Sequence, residues 1–374
     1  MNLSRKYNLT KLAFTFPEIT SKKLGRIFHQ NLPDRKRDFP RLLNFFLYSG
    51  CNLKCCMCGQ WRKRSIAGDA AGNEFLPFRK LQDIADQAAG YSPEVYIWGG
   101  EPTLHPDFAE FIAYLKKKKF VCTVNTNGTL LKKYAGDIVA SGIDSIDISL
   151  DGPPEIHDAI RGIKGTYAKI MEGLKKLEEK KTDRRPLVKA VITLSEKNLF
   201  HIEKLLWDLE SNHAVHMSII QLGWFTTKQA GEIYERQLKE GFGLKATSWQ
   251  GFEDNRSNER SLLSYELIRR IRNGKYKKPI LFFPDLADEE IKRYYSNHGD
   301  TLGRKGCRSL LNEMQIMPNG DVVICVDFPD IVVGNIWEQT LSAVWNGEKL
   351  RFFRKYVKEK GLFSICSRCC GFFK

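Results

Sequence analysis

The sequence predicts an α/β fold, a partial (β/α)6 TIM-like barrel followed by a small C-terminal α+β domain. Short apolar runs alternate with segments whose apolar residues recur at helical spacing, which indicates a parallel sheet with right-handed crossovers. Six such units fall short of the eight in a closed barrel, so we expect an open or partial one. Polar and glycine-rich turns follow the strands, and cysteines are grouped near both ends of the 374-residue chain.

The predicted strands follow one another in a regular order. The six strands are residues 42–48, 94–98, 120–124, 144–150, 187–194 and 215–222. Apolar stripes between them predict helices that begin near Phe78, Phe108, Tyr167 and Ile202. Residues 223–300 are less regular, although Leu262 begins a further helical stripe and residues 279–283 could form one more strand.

We divide the chain into three regions. Residues 1–41 form a basic N-terminal extension, in which residues 21–28 could form a short amphipathic helix. This helix could pack on the main domain or make a weak membrane-surface contact. Residues 42–300 hold the barrel and an irregular insertion, and residues 301–374 hold the smaller domain.

The composition is that of a soluble globular protein, with 42% hydrophobic and 28% charged residues. No apolar run is long enough to span a membrane, and the N-terminus lacks the apolar core of a signal peptide. We therefore expect a cytoplasmic, reducing environment, in which the ten cysteines bind metal rather than form disulfides.

The net charge of +15 allows an acidic partner such as nucleic acid, an anionic membrane or a phosphorylated substrate. Much of the charge lies at residues 116–119 and 175–181, which follow apolar stripes and are typical of solvated helix faces. Aromatic and basic residues do not interleave as a single-strand binding surface requires. A nucleic-acid partner is therefore a minority hypothesis.

The first cysteine group follows the first strand and consists of Cys51, Cys55 and Cys58, separated by three and then two residues. Three thiolates can hold a [4Fe–4S] cube and leave one iron open for a small molecule. Two alternatives remain at this point. With Cys56 as a fourth ligand the group could hold zinc, although adjacent Cys55 and Cys56 would strain a tetrahedral site, or the cysteines could be buried thiols.

Unusual residues follow the next three strands. Gly99, Gly100 and Glu101 come after the second strand, Asn127 after the third, and Ser149 and Asp151 after the fourth. Each segment alone could be an ordinary turn. Barrels of this type build active sites at the C-terminal ends of their strands, so their shared position indicates one site.

The cysteine spacing and this order of motifs resemble the radical S-adenosylmethionine (radical SAM) superfamily across roughly residues 42–225. One departure is Met57, because the family usually has an aromatic residue before its last cysteine. Gly99 and Gly100 should let a ligand approach the backbone closely. The resemblance implies that the open iron binds SAM and that Glu101 binds its amino group. It also implies that Asn127, Ser149 and Asp151 line the ribose and carboxylate region. Arg161 is a weaker candidate for a carboxylate contact, and could equally be a surface arginine.

The second cysteine group combines Cys307, a predicted hairpin that turns at Asn319–Gly320 and ends at Cys325, and the terminal Cys366, Cys369 and Cys370. A hairpin plus a CxxC motif also builds zinc ribbons. The layout resembles the C-terminal auxiliary-cluster domains of radical SAM enzymes, SPASM and its one-cluster form, twitch. The resemblance implies an auxiliary [4Fe–4S] cluster on Cys307, Cys325, Cys366 and Cys369, with Cys370 as an alternative to Cys369.

The resemblance implies reductive cleavage of SAM to methionine and a 5′-deoxyadenosyl radical, which takes a hydrogen atom from a substrate. The auxiliary cluster would transfer electrons, and an external donor such as flavodoxin or ferredoxin would supply the first one. We expect a small-molecule or lipid-like substrate, since no separate leader-binding domain is visible. The alternatives are a peptide-modifying maturase, an RNA-modifying enzyme, or a non-enzymatic iron–sulfur or zinc protein. The catalytic proton donor or acceptor is unknown from the sequence.

Overall fold

The computed structural model describes residues 38–62, 72–181, 185–223, 225–254 and 258–369. The predicted helix at residues 21–28 and the alternative ligand Cys370 lie outside the described residues. No helix within these ranges is both long and apolar enough to cross a lipid bilayer.

The strands form one ten-stranded sheet in the order β10-β9-β8-β1-β2-β3-β4-β5-β6-β7. The strands are β1 (Leu42–Phe46), β2 (Glu94–Trp98), β3 (Val121–Thr126), β4 (Ser145–Ser149), β5 (Leu187–Thr193), β6 (Met217–Gln221), β7 (Ile280–Phe283), β8 (Glu313–Ile316), β9 (Asp321–Val323) and β10 (Val332–Asn335). Strands β1 to β7 are parallel in sequence order, which places their C-terminal ends along one edge. The open sheet confirms the predicted partial barrel, and β7 confirms the additional strand expected at residues 279–283.

Twelve α-helices and three short 3₁₀ segments are assigned in the described part of the chain. The helices are α1 (Phe78–Ala89), α2 (Phe108–Lys117), α3 (Leu131–Ser141), α4 (Pro154–Arg161), α5 (Thr166–Lys180), α6 (Ile202–Glu210), α7 (Lys228–Phe242), α8 (Asn258–Asn273), α9 (Asp288–Ser296), α10 (Arg308–Asn312), α11 (Leu341–Trp345) and α12 (Glu348–Lys360). The 3₁₀ segments are Pro102–Leu104, Ser248–Phe252 and Ser364–Arg368.

The crossover helices cover the sheet with the apolar stripes that the sequence shows. In α1, for example, Leu81, Ile84, Ala85 and Ala88 are at most 1% exposed, because spacings of three and four residues place them on one face. Burying each large aliphatic side chain contributes about 1.5–3 kcal/mol. Cys122 lies in this core, where burial raises the pKa of its thiol to about 12.

The C-terminal region joins the barrel sheet directly. Strand β8 pairs in parallel with β1, with Leu42 opposite Glu313, on the side of β1 that β2 does not occupy. The predicted hairpin then connects β8 to the antiparallel β9, and Gly320 takes a φ of 93° in its turn. The second cysteine group is therefore carried by an extension of the barrel sheet.

Candidate active site

The cysteine loop leaves β1 and is held by backbone hydrogen bonds to two other elements. Its Cys56 N–H donates to the Ile160 carbonyl at 2.9 Å, which fixes the loop to the end of α4. On the other side, the Glu101 N–H donates to the Gly50 carbonyl at 2.8 Å. Hydrogen bonds to the segments at the ends of β2 and α4 therefore hold the loop in position.

The two glycines after β2 allow this loop to pack closely. A Cβ at Gly100 would lie 2.2 Å from the Gly50 oxygen, and one at Gly99 would lie 2.7 Å from the Tyr48 oxygen. Gly99 also has a φ of 153°, which favours glycine. We expected a ligand to approach these glycines; in the structure, loop backbone occupies the space beside them.

The three sulfurs of the loop sit among hydrogen-bond donors. The Leu53 N–H donates to Cys51 Sγ at 3.4 Å, and the Trp61 N–H donates to Cys58 Sγ at 3.5 Å. Burial raises the pKa of Cys51 to about 12 and also raises that of Cys55. Repulsion from the Cys55 and Cys58 thiolates also raises the pKa of Cys51, and repulsion from Cys58 raises that of Cys55, so deprotonated thiols here need a cationic group to bind.

Arg161 connects this loop to the end of β4. Its Nη1 donates to Cys55 Sγ at 3.7 Å, and its Nη2 forms an ion pair with the Asp151 carboxylate at 2.5 Å. Burial opposes the guanidinium charge, but Asp151 and Cys55 together hold the pKa of Arg161 above its usual value. The alternative of a surface arginine is wrong, since only 11% of this side chain is exposed.

Asp151 is fully buried and makes polar contacts on several sides. Its Oδ1 accepts the Thr193 N–H at 3.0 Å, and its own N–H donates to His157 Nδ1 at 3.2 Å. Burial lowers the pKa of His157 to about 4, which keeps the ring neutral and able to accept this bond. The predicted ribose contact of Asp151 stays a prediction, and the structure gives this carboxylate a clear role in holding Arg161.

Glu101 is 1% exposed and lies between the ends of β2 and β3. Its Oε1 accepts from the Thr103 and Thr126 hydroxyls at 2.5 and 2.6 Å, and its Oε2 accepts the Asn127 N–H at 2.7 Å. Burial raises the pKa of the carboxyl group, whereas these donors stabilise its ionised form. The predicted contact with the SAM amino group stays a prediction beside this positioning role.

Asn127 links the end of β3 to the cysteine loop. Its Nδ2 donates to the Asn52 side-chain oxygen at 2.8 Å, and its Oδ1 accepts the Thr129 N–H at 3.0 Å. Ser149, at the end of β4, lies on the wall of the central cavity. The structure therefore brings the predicted residues of β2, β3 and β4 around one loop.

The four cysteines of the second group also converge. Cys369 raises the pKa values of Cys307, Cys325 and Cys366, which shows that it lies near all three. For Cys325 the main cause is a hydrogen bond that its S–H donates to Cys369 Sγ, and for the other two cysteines it is burial. The predicted quartet is thus assembled in the fold.

One compact set of possible metal ligands lies in the second cysteine group. Cys325 Sγ, Cys369 Sγ and a carboxylate oxygen of Asp327 lie within 4.8 Å of one another. Asp327 was not predicted from the sequence, although its position two residues after Cys325 was a usable signal.

Both cysteine groups line the same cavity, which has a volume of about 900 Å³. Cys55 and Cys58 lie on its wall together with Cys307, Cys325, Cys366 and Cys369. Such a volume is typical of a site for a small organic ligand. A molecule in this cavity could therefore meet groups bound at either set of cysteines.

Polar side chains that were not predicted from the sequence line the inner face of the barrel and form a polar floor of the cavity. Lys189 Nζ pairs with Asp147 Oδ1 at 2.7 Å, and the Tyr96 hydroxyl donates to Asp147 Oδ2 at 3.3 Å. Neighbouring strands contribute Asn44 and Gln315, which face each other across β1 and β8. The signal was a polar residue inside each strand, since strands buried on both faces are normally apolar throughout.

The lining of the cavity is acidic although the chain is basic. Among the described lining residues seven are acidic and four are basic. The acidic residues are Asp147, Glu196, Glu253, Asp254, Asp285, Glu313 and Asp327, and the basic residues are Arg62, Arg161, Lys189 and Lys197. This balance disfavours a polyphosphate or nucleic-acid strand inside the cavity.

Comparison with known proteins agrees with this geometry. Residues 45–206 match the radical SAM superfamily, and residues 307–370 match SPASM, an iron–sulfur cluster-binding domain. A probable GTP 3′,8-cyclase of Sulfolobus acidocaldarius is 30% identical over 314 residues, which cover 83% of this chain and 89% of the relative. The antilisterial bacteriocin subtilosin biosynthesis protein AlbA of Bacillus subtilis is 26% identical over 348 residues, which cover 89% of this chain and 68% of AlbA.

A solved structure shows the same fold. The crystal structure of Streptococcus suis SuiB bound to its precursor peptide SuiA superposes with a TM-score of 0.63 at 15% identity. The match covers 96% of this chain and 84% of SuiB.

The chain belongs to the radical SAM superfamily and is an enzyme. More particularly, it is a radical SAM enzyme with a C-terminal SPASM domain, so its cofactors are SAM, a SAM-binding [4Fe–4S] cluster and an auxiliary iron–sulfur cluster. The predicted family and cofactors are confirmed, and the alternative of a non-enzymatic protein is wrong. The individual ligands and SAM contacts stay predictions.

Proposed function

We propose that the protein abstracts a hydrogen atom from a small organic substrate held between its two cysteine sites. In this proposal Cys51, Cys55 and Cys58 hold the SAM-binding cluster, and Cys307, Cys325, Cys366 and Cys369 hold the auxiliary one. The observation that carries the proposal is the single cavity of about 900 Å³ that both cysteine groups line. The division of the chain into an extension, a core of residues 42–300 and an auxiliary domain of residues 301–374 is part of the same proposal.

A [4Fe–4S] cluster held by Cys51, Cys55 and Cys58 would supply the one-electron chemistry that cleaves SAM reductively. The residues of this chain position the reactants. Arg161 holds Cys55 through its contact at 3.7 Å and can also meet the SAM carboxylate, because it lines the cavity. Glu101 and Asn127 fix the loop from the ends of β2 and β3, and Ser149 lies where a ribose hydroxyl could bind.

The cavity walls combine aromatic side chains with polar ones. Aromatic residues such as Trp98, Phe252 and Phe328 line the cavity beside the polar floor of Asp147 and Lys189. Apolar walls reduce the contact of a bound radical with water, and a fixed polar floor orients the substrate by hydrogen bonds. An auxiliary cluster held by Cys307, Cys325, Cys366 and Cys369 on the same cavity would supply an acceptor for the electron left on the substrate, which would make the net reaction an oxidation.

The second candidate substrate is a peptide side chain. The relative AlbA, a bacteriocin biosynthesis protein, matches 89% of this chain, and an acidic cavity lining suits peptide N–H donors. The RNA-modifying alternative has less support, because the acidic residues of the lining outnumber the basic ones.

Anaerobic reconstitution tests the proposal. We expect about eight irons per chain and dithionite-dependent formation of 5′-deoxyadenosine from SAM. Replacing Cys51, Cys55 and Cys58 with alanine should leave about four irons and abolish SAM cleavage. Replacing Cys307 and Cys325 should also leave about four irons, but should retain SAM cleavage. Cys122→Ala is the matched control and should retain about eight irons. If the wild type held only about four irons, and these remained when Cys307 and Cys325 were replaced, the second cluster would be contradicted.

A further inference from the structure

A second concavity, of about 1010 Å³, lies beside the auxiliary site. The 3₁₀ segment Ser364–Arg368 forms a wall between it and the central cavity. Ile365 and Cys366 line the central cavity, whereas Ser364 and Ser367 line this outer groove. One turn of chain therefore separates the groove from a predicted ligand of the auxiliary cluster.

The wall is held firmly in place. The Ser364 hydroxyl donates to the Ala230 carbonyl at 2.6 Å, which ties it to the first turn of α7. Arg368 is 1% exposed, and its Nε donates to the Tyr294 carbonyl of α9 at 2.6 Å. A rigid wall keeps the distance between a protein bound in the groove and the auxiliary site constant.

The groove is basic, in contrast with the central cavity. Its described lining includes five basic side chains and one acidic side chain, namely Lys228, Arg304, Lys305, Lys358, Lys360 and Glu359. Thr227, also in the groove, caps the N-terminus of α7, where the helix dipole adds a partial positive charge. Arg304 is already paired with Glu290 at 3.3 Å and Lys228 with Glu232 at 3.9 Å, so Lys305, Lys358 and Lys360 carry most of the attraction for a partner.

We propose that this basic groove, defined by Lys228, Lys305, Lys358 and Lys360, is the docking surface for an acidic one-electron carrier protein of the flavodoxin or ferredoxin type. The inference rests on the auxiliary cluster that the proposed function places at Cys366. Charge complementarity of this kind accelerates the association of redox partners and fixes their orientation. Only a single turn of chain would separate a partner bound in the groove from the cluster, so an electron could pass between them.

The electron balance is simple. The substrate radical would lose one electron to the auxiliary cluster and one proton to solvent, and the cluster would pass the electron to the oxidised carrier. The carrier is reduced by one electron, the cluster returns to its starting state, and no covalent bond forms between the two proteins. This outlet would let the auxiliary site act in every turnover.

The test uses the reconstituted full-length enzyme and a recombinant FMN-loaded flavodoxin with an acidic surface. Binding is measured by fluorescence anisotropy of labelled flavodoxin at 50 and 200 mM salt. Electron transfer from the reduced enzyme is measured by stopped-flow formation of the flavin semiquinone. To isolate the auxiliary site, the stopped-flow measurement is repeated with Cys51, Cys55 and Cys58 replaced by alanine.

We compare the groove variant Lys305→Glu/Lys358→Glu/Lys360→Glu with the matched variant Lys169→Glu/Lys175→Glu/Lys180→Glu, whose exposed lysines lie on α5. The groove variant should weaken binding and slow electron transfer by about tenfold or more at low salt, whereas the α5 variant should stay within about twofold of wild type. Both should retain dithionite-driven formation of 5′-deoxyadenosine, which separates this inference from the proposed function.

Wild-type affinity and rate in the groove variant would overturn the inference, as would an equal loss in the α5 variant. A short single-stranded RNA serves as a further probe. If the groove variant lost affinity for this RNA and kept it for flavodoxin, the groove would be a polyanion site and the docking assignment would be wrong.

Discussion

Arg161 donates a hydrogen bond to Cys55 Sγ at 3.7 Å while its other nitrogen pairs with the buried Asp151. A positive charge and a donor beside a cluster ligand favour the reduced cluster, because reduction adds negative charge. The residue that holds the loop therefore also influences how easily the first electron enters.

Arg161→Met should lower the reduction potential of the SAM-binding cluster. We expect about a tenfold change in the reduction equilibrium, which is about 59 mV for one electron. EPR-monitored redox titration measures it, and the auxiliary cluster in the same sample is the internal control. Arg161→Lys should show a smaller shift, because lysine keeps the charge and loses the planar fork. Equal potentials in wild type and Arg161→Met would show that the contact has no electrostatic effect.

Gly100→Ala should displace the cysteine loop, since the new Cβ would lie 2.2 Å from the Gly50 oxygen. Backbone cannot give way as a flexible side chain does, so we expect loss of about four irons and of SAM cleavage, with the auxiliary cluster retained. Iron analysis and the 5′-deoxyadenosine assay measure this outcome.

The matched control is Gly136→Ala, in the middle of α3, where an added Cβ meets nothing within 4 Å. It should retain full iron content and gain about 0.5–1 kcal/mol of stability. Full iron in Gly100→Ala would mean that the loop has more freedom than its packing indicates.

Breaking the buried ion pair between Lys189 and Asp147 should destabilise the folded protein. Both residues are at most 5% exposed, so Lys189→Met leaves a buried carboxylate without its cation and should cost about 3–5 kcal/mol. Adding Asp147→Asn should recover much of this loss, because the amide still accepts from Tyr96. Urea unfolding of the protein measures both free energies.

An exposed pair on α6 provides the comparison. Lys204 and Asp208 lie 3.0 Å apart at the surface, and Lys204→Met should cost less than about 1 kcal/mol. Similar costs for the Lys189 and Lys204 variants would show that burial does not set the energy of the interior pair.

The buried His157 should make the enzyme less stable in mild acid. Its folded pKa is about 4, whereas the ordinary value is 6.5, so the unfolded chain binds more protons between these pH values. Stability from this group is therefore present above pH 6.5 and is lost as the pH falls towards 4, by about 1.4 kcal/mol per pH unit. Urea unfolding at a series of pH values measures the slope.

His157→Asn is the informative variant, since its side-chain oxygen can still accept the Asp151 N–H. Over this pH range the free energy of unfolding of the variant should depend less steeply on pH than that of the wild type. The difference in slope should correspond to about one proton. Burial also lowers the pKa of His216 to about 3, that of His298 to about 4 and that of His105, so these three histidines should contribute to the remaining slope. A slope that His157→Asn leaves unchanged would assign the acid sensitivity elsewhere.

Much of the barrel could be predicted because its signals are local. Apolar runs located six parallel strands, and glycine and polar turns located the edge at which Cys51, Glu101, Asn127 and Ser149 gather. The hairpin turn at Gly320 was predictable for the same reason, since an Asn-Gly pair suits a tight turn.

The features that were missed depend on partners distant in sequence. Strand β8 has only four residues, Glu313–Ile316, and nothing local shows that it pairs with β1. Arg161 could be recognised as an ion-pair partner only once α4 was placed against the cysteine loop. The polar floor of the cavity was missed because a lysine or aspartate inside a strand gives no sign of which face it occupies.

The pairing of β8 with β1 has a consequence for biosynthesis. Strand β1 leaves the ribosome long before β8, so the edge that β8 covers stays open while β2 to β7 are made. Non-local pairings of this kind form slowly, and an uncovered strand edge invites wrong partners in the meantime. Cells that make this enzyme therefore have reason to protect the nascent barrel until its last strands arrive.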